Sequence, residues 1–419
     1  MDIKIRPNCR VCGNQSMQSI FSLGDLYVSN FLSEGEEGDK APLDLVLCSV
    51  EDGGCGLVQL RHTTPHEALY RNYWYRSGIN RTMTDELNGI ARKAESLVRL
   101  KADDYVIDIG ANDGTLLRGY TTEGLNRIGY EPARNLEQYN TKGTTKIFPD
   151  FFNHPVWEKT LGSIKAKVVT AIAMFYDLED PNLFVSDVAK CLDDNGVFII
   201  QMSYLPLMLE TNEVGNICHE HVKYYSLFSM ENLLKRNDLE VMDVELNEIN
   251  GGSFRLYIRH KGKGKKMSVP IGANVRVASL REYEKKLGLG DKKVYDDFVK
   301  RVEEIKEKTV ALIKKEVAVG KKVYVYGAST KGNTVLQYFG LDDKLIGAAA
   351  ERNPDKWGKK TVGTNIPIIS EDQARAEKPD YFLVLPWHFL AEFREREKDY
   401  FAAGGKFIVP FPEFEIIED

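Results

Sequence analysis

The sequence has no long hydrophobic run. Nothing in its 419 residues approaches the ~20 consecutive apolar residues that a membrane helix needs. The richest stretch, Val197 to Leu209, is broken by Gln201, Ser203 and Pro206, so no membrane association is expected. An excess of positive charge is also missing. Lys+Arg number 56 and Asp+Glu 62, for a net charge of −6, which argues against a dedicated nucleic-acid binder. The first residues, MDIKIRPNC, have no apolar core of a secretory signal. A cytoplasmic protein is therefore expected, and disulfides are rare in that compartment. Cysteine is scarce, with six in the chain, which excludes a small disulfide scaffold and leaves the cysteines in need of another role. No compositional bias points to collagen or to long disorder.

What is present is an ordinary globular composition, 43% hydrophobic and 28% charged. At ~150 residues per domain the length suggests two or three domains. Residues 1–65 are rich in turns and hold four of the six cysteines. A helical, aromatic stretch follows from Pro65 to about Leu100, in which Tyr70, Tyr73, Trp74 and Tyr75 read either as core or as a lid over a cofactor. From Tyr105 the pattern becomes strand, glycine turn, helix, strand. YVIDIGANDGTLL, NRIGYE, AKVVTAIAM and GVFIIQM each supply an apolar strand, the last after a turn at Asp193–Gly196. Such alternation predicts a mainly parallel sheet with helices on both faces. Ser226 to Arg259 reads as a helix and two strands, and Arg259 to Lys266 as a solvated basic loop. A long amphipathic helix is predicted over 293–317, with Gly320 as its stop. A second βαβ pattern starts at KKVYVYGASTKGNTVLQYF and runs through LIGAAAER, DYFLVLPW and KFIVPFP. The fold class is α/β with two doubly wound units.

Cys9 and Cys12 are separated by two residues, Cys48 and Cys55 by six. Zinc favours four tetrahedral ligands and binds thiolates well. Gly53 and Gly54 can turn the second pair back on itself. With four protein ligands no position stays open, so such a site would be structural and would stabilise a segment with little core of its own. Unrelated buried cysteines are the alternative. Cys191 reads as core.

Asp108, Gly110, Asn112, Asp113 and Gly114 close an apolar strand and open a helix. The G-x-G-x-x-G of a dinucleotide fold is absent, and an acid ends the strand instead. That arrangement suits S-adenosylmethionine, which carries a cationic ammonium and no phosphate. Glu131 closes the next strand and can accept from both ribose hydroxyls, and Asp150 can meet the adenine amine. A plain glycine turn with solvated acids, or NAD, are the competing readings.

Cys218, His219, Glu220 and His221 follow a further strand end, where open α/β sheets build their active sites. Imidazole exchanges protons near neutral pH, and an adjacent acid can orient it. The spacing does not fit the HExxH of a zinc protease, and two surface histidines are the bland alternative. Asn250, Gly251, Gly252 and Ser253 make either a hairpin turn or a place where substrate approaches the backbone. Gly327 to Gly332 fails the P-loop pattern because Lys331 precedes the second glycine. The turn can still bind an anion at a helix N-terminus, with Lys331 supplying charge and Asn333 beside it. Glu351, Trp387 and His388 stand at later strand ends and can line the same cleft.

CRVCG, CGLVQL, YRSGINRTM, VIDIGANDGTLL, NICHEHVKYYS, NGGSFRLYI and VYVYGASTKGNTVLQYFG occur in one order along nearly the whole chain. In this the sequence resembles the sugar C-methyltransferase family of deoxysugar pathways, including the nucleotide-sugar C-3 methyltransferases. The resemblance implies a zinc-binding domain at 1–65 and a Rossmann-like methyltransferase domain at 66–260. It implies a second Rossmann-like domain with its linking helix at 261–419, which helps hold the nucleotide sugar. It also implies S-adenosylmethionine as methyl donor, a nucleotide-linked 4-keto-6-deoxysugar as substrate, and His221 as catalytic base with Glu220 supporting it. Tyr75 falls where the family closes over cofactor and substrate. The sequence departs from the family in the long Cys48–Cys55 gap, in Cys218 where some relatives have tyrosine, and in Asn250 where histidine is common. A monomer is expected, with a dimer as the alternative. O- or N-methylation, a NAD-dependent oxidoreductase and a non-catalytic zinc-stabilised binding module are the competing functions.

Overall fold

The computed structural model describes residues 2–65, 69 and 74–418; Tyr70 and Tyr73 lie outside the described residues. A seven-stranded sheet forms the centre. Its strands are β1 (Tyr105–Ile109), β2 (Asn126–Tyr130), β3 (Lys146–Phe148), β4 (Ala166–Ile172), β5 (Leu192–Ser203), β6 (Leu239–Asn247) and β7 (Ser253–His260). Their spatial order is β3-β2-β1-β4-β5-β7-β6, parallel through β5 and closed by the antiparallel β7 and β6. Continuous apolar strands such as YVIDI belong in a sheet covered on both faces. One face carries Ile107, Phe198 and Leu256, and the other Val106, Val168 and Val197. Helix α1 (Arg81–Val98) buries Leu87, Ile90, Ala91, Ala94 and Leu97 on the second face at helical spacing, and Asn80 caps it by accepting from the Met83 amide.

The turn expected at Asp193–Gly196 is part of strand β5. The strand runs on past β4 with a bulge between its pairs to Ala166 and Val168, which absorbs the extra residues. Gly196 is needed because a Cβ there would come within 3.0 Å of the Ala166 and Lys167 carbonyls.

Helices α2 (Ala273–Leu287) and α3 (Lys292–Ala318) lead to the second doubly wound unit. The first packs Val277 and Leu280 against the central sheet and ion-pairs Arg276 to Asp243 at 2.6 Å. The second matches the long helix read from periodicity and buries Tyr295, Phe298, Val302, Ile305 and Ile313. Then come β8 (Val323–Tyr326), α4 (Thr330–Phe339), β9 (Ala349–Glu351), β10 (Ile368–Ser370), β11 (Tyr381–Val384), β12 (Lys406–Val409) and β13 (Glu415–Ile417). The order is β10-β9-β8-β11-β12-β13, parallel except for the last strand.

The N-terminal segment forms an antiparallel sheet from Met17–Tyr27, Lys40–Cys48 and Val58–Leu60. Its fourth strand is Lys223–Tyr224, with Lys223 opposite Gln59 and Tyr224 opposite Val58. The chain just beyond the CHEH motif is thus built into the cysteine-bearing head. The head is tied to the second unit as well, through Phe31–Leu32 paired with Lys360–Thr361. Lys261, Lys263, Lys265 and Lys266 are exposed, as the basic loop predicts. Among the described residues no helix is long and apolar enough to cross a membrane.

Candidate active site

The four N-terminal cysteines converge. Their sulfurs lie within 4.8 Å of one another, with Cys9 and Cys55 at 3.5 Å and Cys12 and Cys48 at 3.4 Å. Tetrahedral ligands ~2.3 Å from zinc stand at about this mutual separation. The six-residue gap is closed by a turn in which the Gly54 amide donates to the Ser49 carbonyl at 2.7 Å. A Cβ on Gly54 would meet Cys48 Sγ at 2.5 Å, so only glycine lets the two sulfurs approach. The neighbouring thiols of Cys48 and Cys9, and then burial, push the Cys55 thiol up; four thiolates this close ionise together only around a cation. Cys191 is buried in the core of the central sheet, as expected.

A cavity of about 340 Å³ opens beyond the strand ends of the central sheet and is roofed by the second unit. Asp108, Gly110, Asn112, Glu131 and Asp150 line it from the first side. Asp108 sits at the end of β1 and accepts from Thr170 Oγ1 at 2.6 Å; burial pushes its carboxyl up to about 8. Glu131 accepts from the amides of Asn112 at 2.7 Å and Ala133 at 2.8 Å, and burial pushes it up to about 7. Both acids are desolvated and keep lone pairs for a ligand's hydroxyl or ammonium groups. Gly110 has φ +73°, and a Cβ there would touch Met174 at 3.1 Å. Asp150 is exposed at the rim.

Asp113 and Gly114 lie behind the cavity wall. Asp113 accepts from the Gly78 amide at 2.7 Å and from Thr115 Oγ1 at 2.6 Å, while Asn112 accepts from the Ser77 amide at 2.9 Å and donates to the Tyr75 carbonyl at 3.0 Å. These two side chains pin the 75–78 segment over the glycine turn. That places Tyr75 on the cavity wall, with part of its surface exposed.

Glu220 and His221 line the cavity opposite. His221 Nδ1 donates to the Asn216 carbonyl at 3.0 Å. A carbonyl only accepts, so this bond fixes the proton on Nδ1 and leaves the lone pair on Nε2. The ring packs on Tyr176 with centroids 4.1 Å apart. Burial and the Lys331 charge hold the imidazole down to about 3, so it is neutral at neutral pH. Burial pushes Glu220 up to about 7. Cys218, Glu220 and His221 each bring a ligand atom within 4.8 Å of the others, and burial raises the Cys218 thiol. Cys218 and His219 do not line the cavity. His219 turns away and donates from Nε2 to the Ala41 carbonyl of the head at 2.9 Å, which fastens the loop to the zinc-bearing sheet.

The second unit contributes Ser329, Thr330, Lys331 and Gly332, from the start of α4, and His388. Ser329 caps the helix by accepting from the Gly332 amide at 2.9 Å. Lys331 is half-buried and donates to the Asn250 carbonyl at 3.3 Å; Asn250 also faces the cavity, in a left-handed conformation at φ 56°. Gly251, Ser253 and Asn333 do not line it. Ser253 donates to the Ile249 carbonyl at 2.8 Å and Asn333 to the Asn30 carbonyl at 3.4 Å. Glu351 supports the glycine turn from behind. Trp387 donates its indole N–H to Glu213.

Glu213 escaped the sequence reading. It lines the cavity, faces Lys331, and burial raises its carboxyl. Its signal was its place soon after the end of β5, in LETNEVGN. Tyr176 and Asp177, which follow β4, were missed in the same way.

Comparison with known proteins fits this geometry. A zinc binding domain model matches residues 9–70, a methyltransferase domain model 75–244, and a C-methyltransferase C-terminal domain model 248–412. The C-methyltransferase NovU of Streptomyces niveus is 30% identical over 426 residues, spanning 99% of this chain and 98% of that protein. Among solved structures, a chain from the complex of the Haloferax volcanii Trm112 methyltransferase activator with a methyltransferase overlaps 44% of this chain and 94% of its own, at 16% identity and a TM-score of 0.35. An S-adenosylmethionine-dependent methyltransferase from Clostridium acetobutylicum overlaps 43% of this chain and 91% of its own, at 10% identity and a TM-score of 0.31. Structural likenesses this distant carry no weight here.

Proposed function

The chain belongs to the C-methyltransferase family and is an S-adenosylmethionine-dependent enzyme with a zinc-binding head, and from that premise we propose that it methylates C-3 of a nucleotide-linked 4-keto-6-deoxysugar through an enolate, with His221 as the base. The observation that carries this reading is the His221 ring. Its proton is fixed on Nδ1 by the Asn216 carbonyl, and it is buried beside Glu220 in the cavity that also holds Asp108 and Glu131.

A carbonyl acidifies the neighbouring C–H bond because the negative charge spreads onto oxygen. His221 Nε2 takes the C-3 proton, and Glu220 steadies the charge that forms on the imidazole. Positioned proton transfer of this kind contributes ~10²–10⁴-fold. S-adenosylmethionine supplies an electrophilic methyl group on a sulfonium. Glu131 receives the ribose hydroxyls, Asp108 the cationic methionine end, and Asp150 at the rim the adenine amine. Tyr75, held by Asn112, covers the cofactor. Lys331 and the N-terminus of α4 hold the anionic nucleotide, with Asn250 beside them. Asp113, Gly114, Gly251, Ser253 and Asn333 shape these loops, and Cys218 and His219 set the catalytic loop. In this reading residues 1–65 are the zinc head, 66–260 the methyltransferase domain and 261–419 the nucleotide-sugar domain of a cytoplasmic monomer.

The test is to supply S-adenosylmethionine labelled with ¹³C in its methyl group together with dTDP-, GDP- and CDP-linked 4-keto-6-deoxyglucose, and to read the product by NMR. A labelled methyl bonded to C-3 is expected with one of the three. A methyl on oxygen or nitrogen, or no transfer to any of them, overturns the proposal.

A further inference from the structure

The cavity holds a second imidazole that this mechanism leaves without work. His388 follows β11 and lines the cavity that Glu220, His221 and Lys331 share. Its Nδ1 is sealed from solvent and has no hydrogen-bond partner among the described residues. Buried polar atoms in folded proteins are almost always satisfied, so one that is not calls for an explanation. The sealed Nδ1 is out of a ligand's reach; the ring's other nitrogen, Nε2, is not sealed and has no hydrogen-bond partner among the described residues, so it is the atom that a ligand in the cavity can meet.

The ring is held in place. The Trp387 amide donates to the Leu385 carbonyl at 2.9 Å and the Phe389 amide to the Pro386 carbonyl at 3.1 Å, which makes a tight turn around His388. The Trp387 indole is anchored on Glu213. The imidazole rests on Phe389, with centroids 4.3 Å apart. A donor fixed in this way needs no reorganisation when charge develops in front of it, which is the condition for electrostatic stabilisation of an oxyanion.

Resting on the function proposed above, we propose that His388 donates a hydrogen bond to the C-4 ketone oxygen and stabilises the enolate that His221 generates. The C-3–H bond breaks and its proton goes to His221 Nε2. The electron pair forms the C-3–C-4 double bond, and the carbonyl pair moves onto oxygen, where the His388 N–H receives it without giving up its proton. Formation of the new C-3–methyl bond returns that pair to carbon and restores the ketone, while the methyl–sulfur bond breaks and its pair stays on sulfur, leaving the neutral thioether of S-adenosylhomocysteine.

Lys331, the cation nearby, donates to the Asn250 carbonyl at 3.3 Å, faces Glu213 and in this reading holds the anionic nucleotide. Burial and the Lys331 charge hold the His388 ring down to about 3, so it stands neutral, with one N–H to donate. Enzymes that enolise a substrate do use a neutral imidazole to polarise the carbonyl.

The experiment compares full-length, zinc-loaded wild type with His388→Phe and His388→Gln. The substrate is whichever of the dTDP-, GDP- and CDP-linked 4-keto-6-deoxyglucoses the wild type methylates. Three quantities are read: kcat, KM, and deuterium uptake at C-3 from D₂O. His388→Phe is expected to lower kcat and deuterium uptake together, ~10²–10³-fold, with KM within ~threefold of wild type, and His388→Gln, which keeps an N–H donor, to regain at least ~tenfold of that loss. His388→Leu, which also lacks a donor, replaces the Phe variant should the phenyl ring prevent folding. Unchanged kcat and uptake in the donor-less variant overturn the assignment, as does an equal loss in Phe and Gln that falls on KM. A wild type that neither exchanges nor methylates any of the three sugars removes the enolate reading itself, and this role with it.

Discussion

Glu131, at the edge of β2, accepts the amides of Asn112 and Ala133; Glu351, at the end of β9, accepts those of Ala328 and Asn353. The two doubly wound units thus share a device, an acid beyond the second strand that ties down the glycine turn of the first. They differ in what fills the space beyond it. Glu131 faces the cavity and stays desolvated. Glu351 is met at 3.3 Å by Lys356, whose ammonium also donates to the Ala328 carbonyl at 2.7 Å and lies over the Phe31 ring. A second difference lies two residues before each glycine. Asp108 stands there in the central unit, and the buried Val325 in the other. Strand, glycine and helix set the fold of both units. Two side chains mark the difference: Asp108 faces an open cavity in one unit, and Lys356 fills the corresponding space in the other.

Lys356→Met tests that plug most severely. It leaves Glu351 without its cation, and breaking a largely buried pair destabilises by about 3 kcal/mol, the low end of the range because both side chains keep a little solvent. Denaturant unfolding should show that loss, while calorimetry still finds one S-adenosylmethionine per chain. A second binding site, or unchanged stability, breaks the contrast.

A smaller effect separates the two acids directly. Glu131→Gln should weaken S-adenosylmethionine binding by about 1.5–3 kcal/mol, the worth of hydrogen bonds to a charged group. Glu351→Gln should leave the Kd within ~threefold, because the group meets only its own chain. Equal losses in both variants contradict the assignment of the cofactor to the central unit.

The smallest effect is in pH. Burial raises Asp108 to about 8 and Glu131 to about 7. Both are ionised in the unfolded chain above about pH 4 and protonated in the free folded protein until higher pH. Unliganded stability therefore falls as pH rises through that window. The cofactor's hydroxyls and cation favour the ionised acids, so binding releases protons and affinity rises from pH 6 to 8, by at most ~tenfold per unit for each acid. Calorimetry in two buffers of different ionisation heat counts the protons. Flat or falling affinity overturns the assignment of the two acids.

Much of this was legible in the sequence because motif order follows the chain. Apolar strands, glycine turns and cysteine pairs are local signals, and they pointed to both units, to the four cysteines that cluster and to Asp108, Glu131 and His221, which line one cavity. What stayed hidden depends on contacts between distant segments. Nothing near Lys223 announces that it pairs with Gln59, or that His219 reaches the Ala41 carbonyl. Glu213 becomes a cavity residue only once Trp387 meets it. The Asp193–Gly196 turn signal was real but lost to the strand, because β5 carries those residues as a bulge against β4. Asn112 and Asp113 belong to the cofactor turn by sequence, and in space their side chains hold the segment that carries Tyr75.

The central claim is that the fixed Nδ1 proton of His221 makes Nε2 the base for C-3. Deuterium uptake at C-3 of the nucleotide-linked keto-sugar, measured in D₂O for wild type and His221→Ala, tests it most directly. Wild type should exchange, and the alanine variant should lose exchange and methyl transfer together by ~10²–10⁴-fold while still binding S-adenosylmethionine. Exchange that persists at the wild-type rate in His221→Ala would contradict the account.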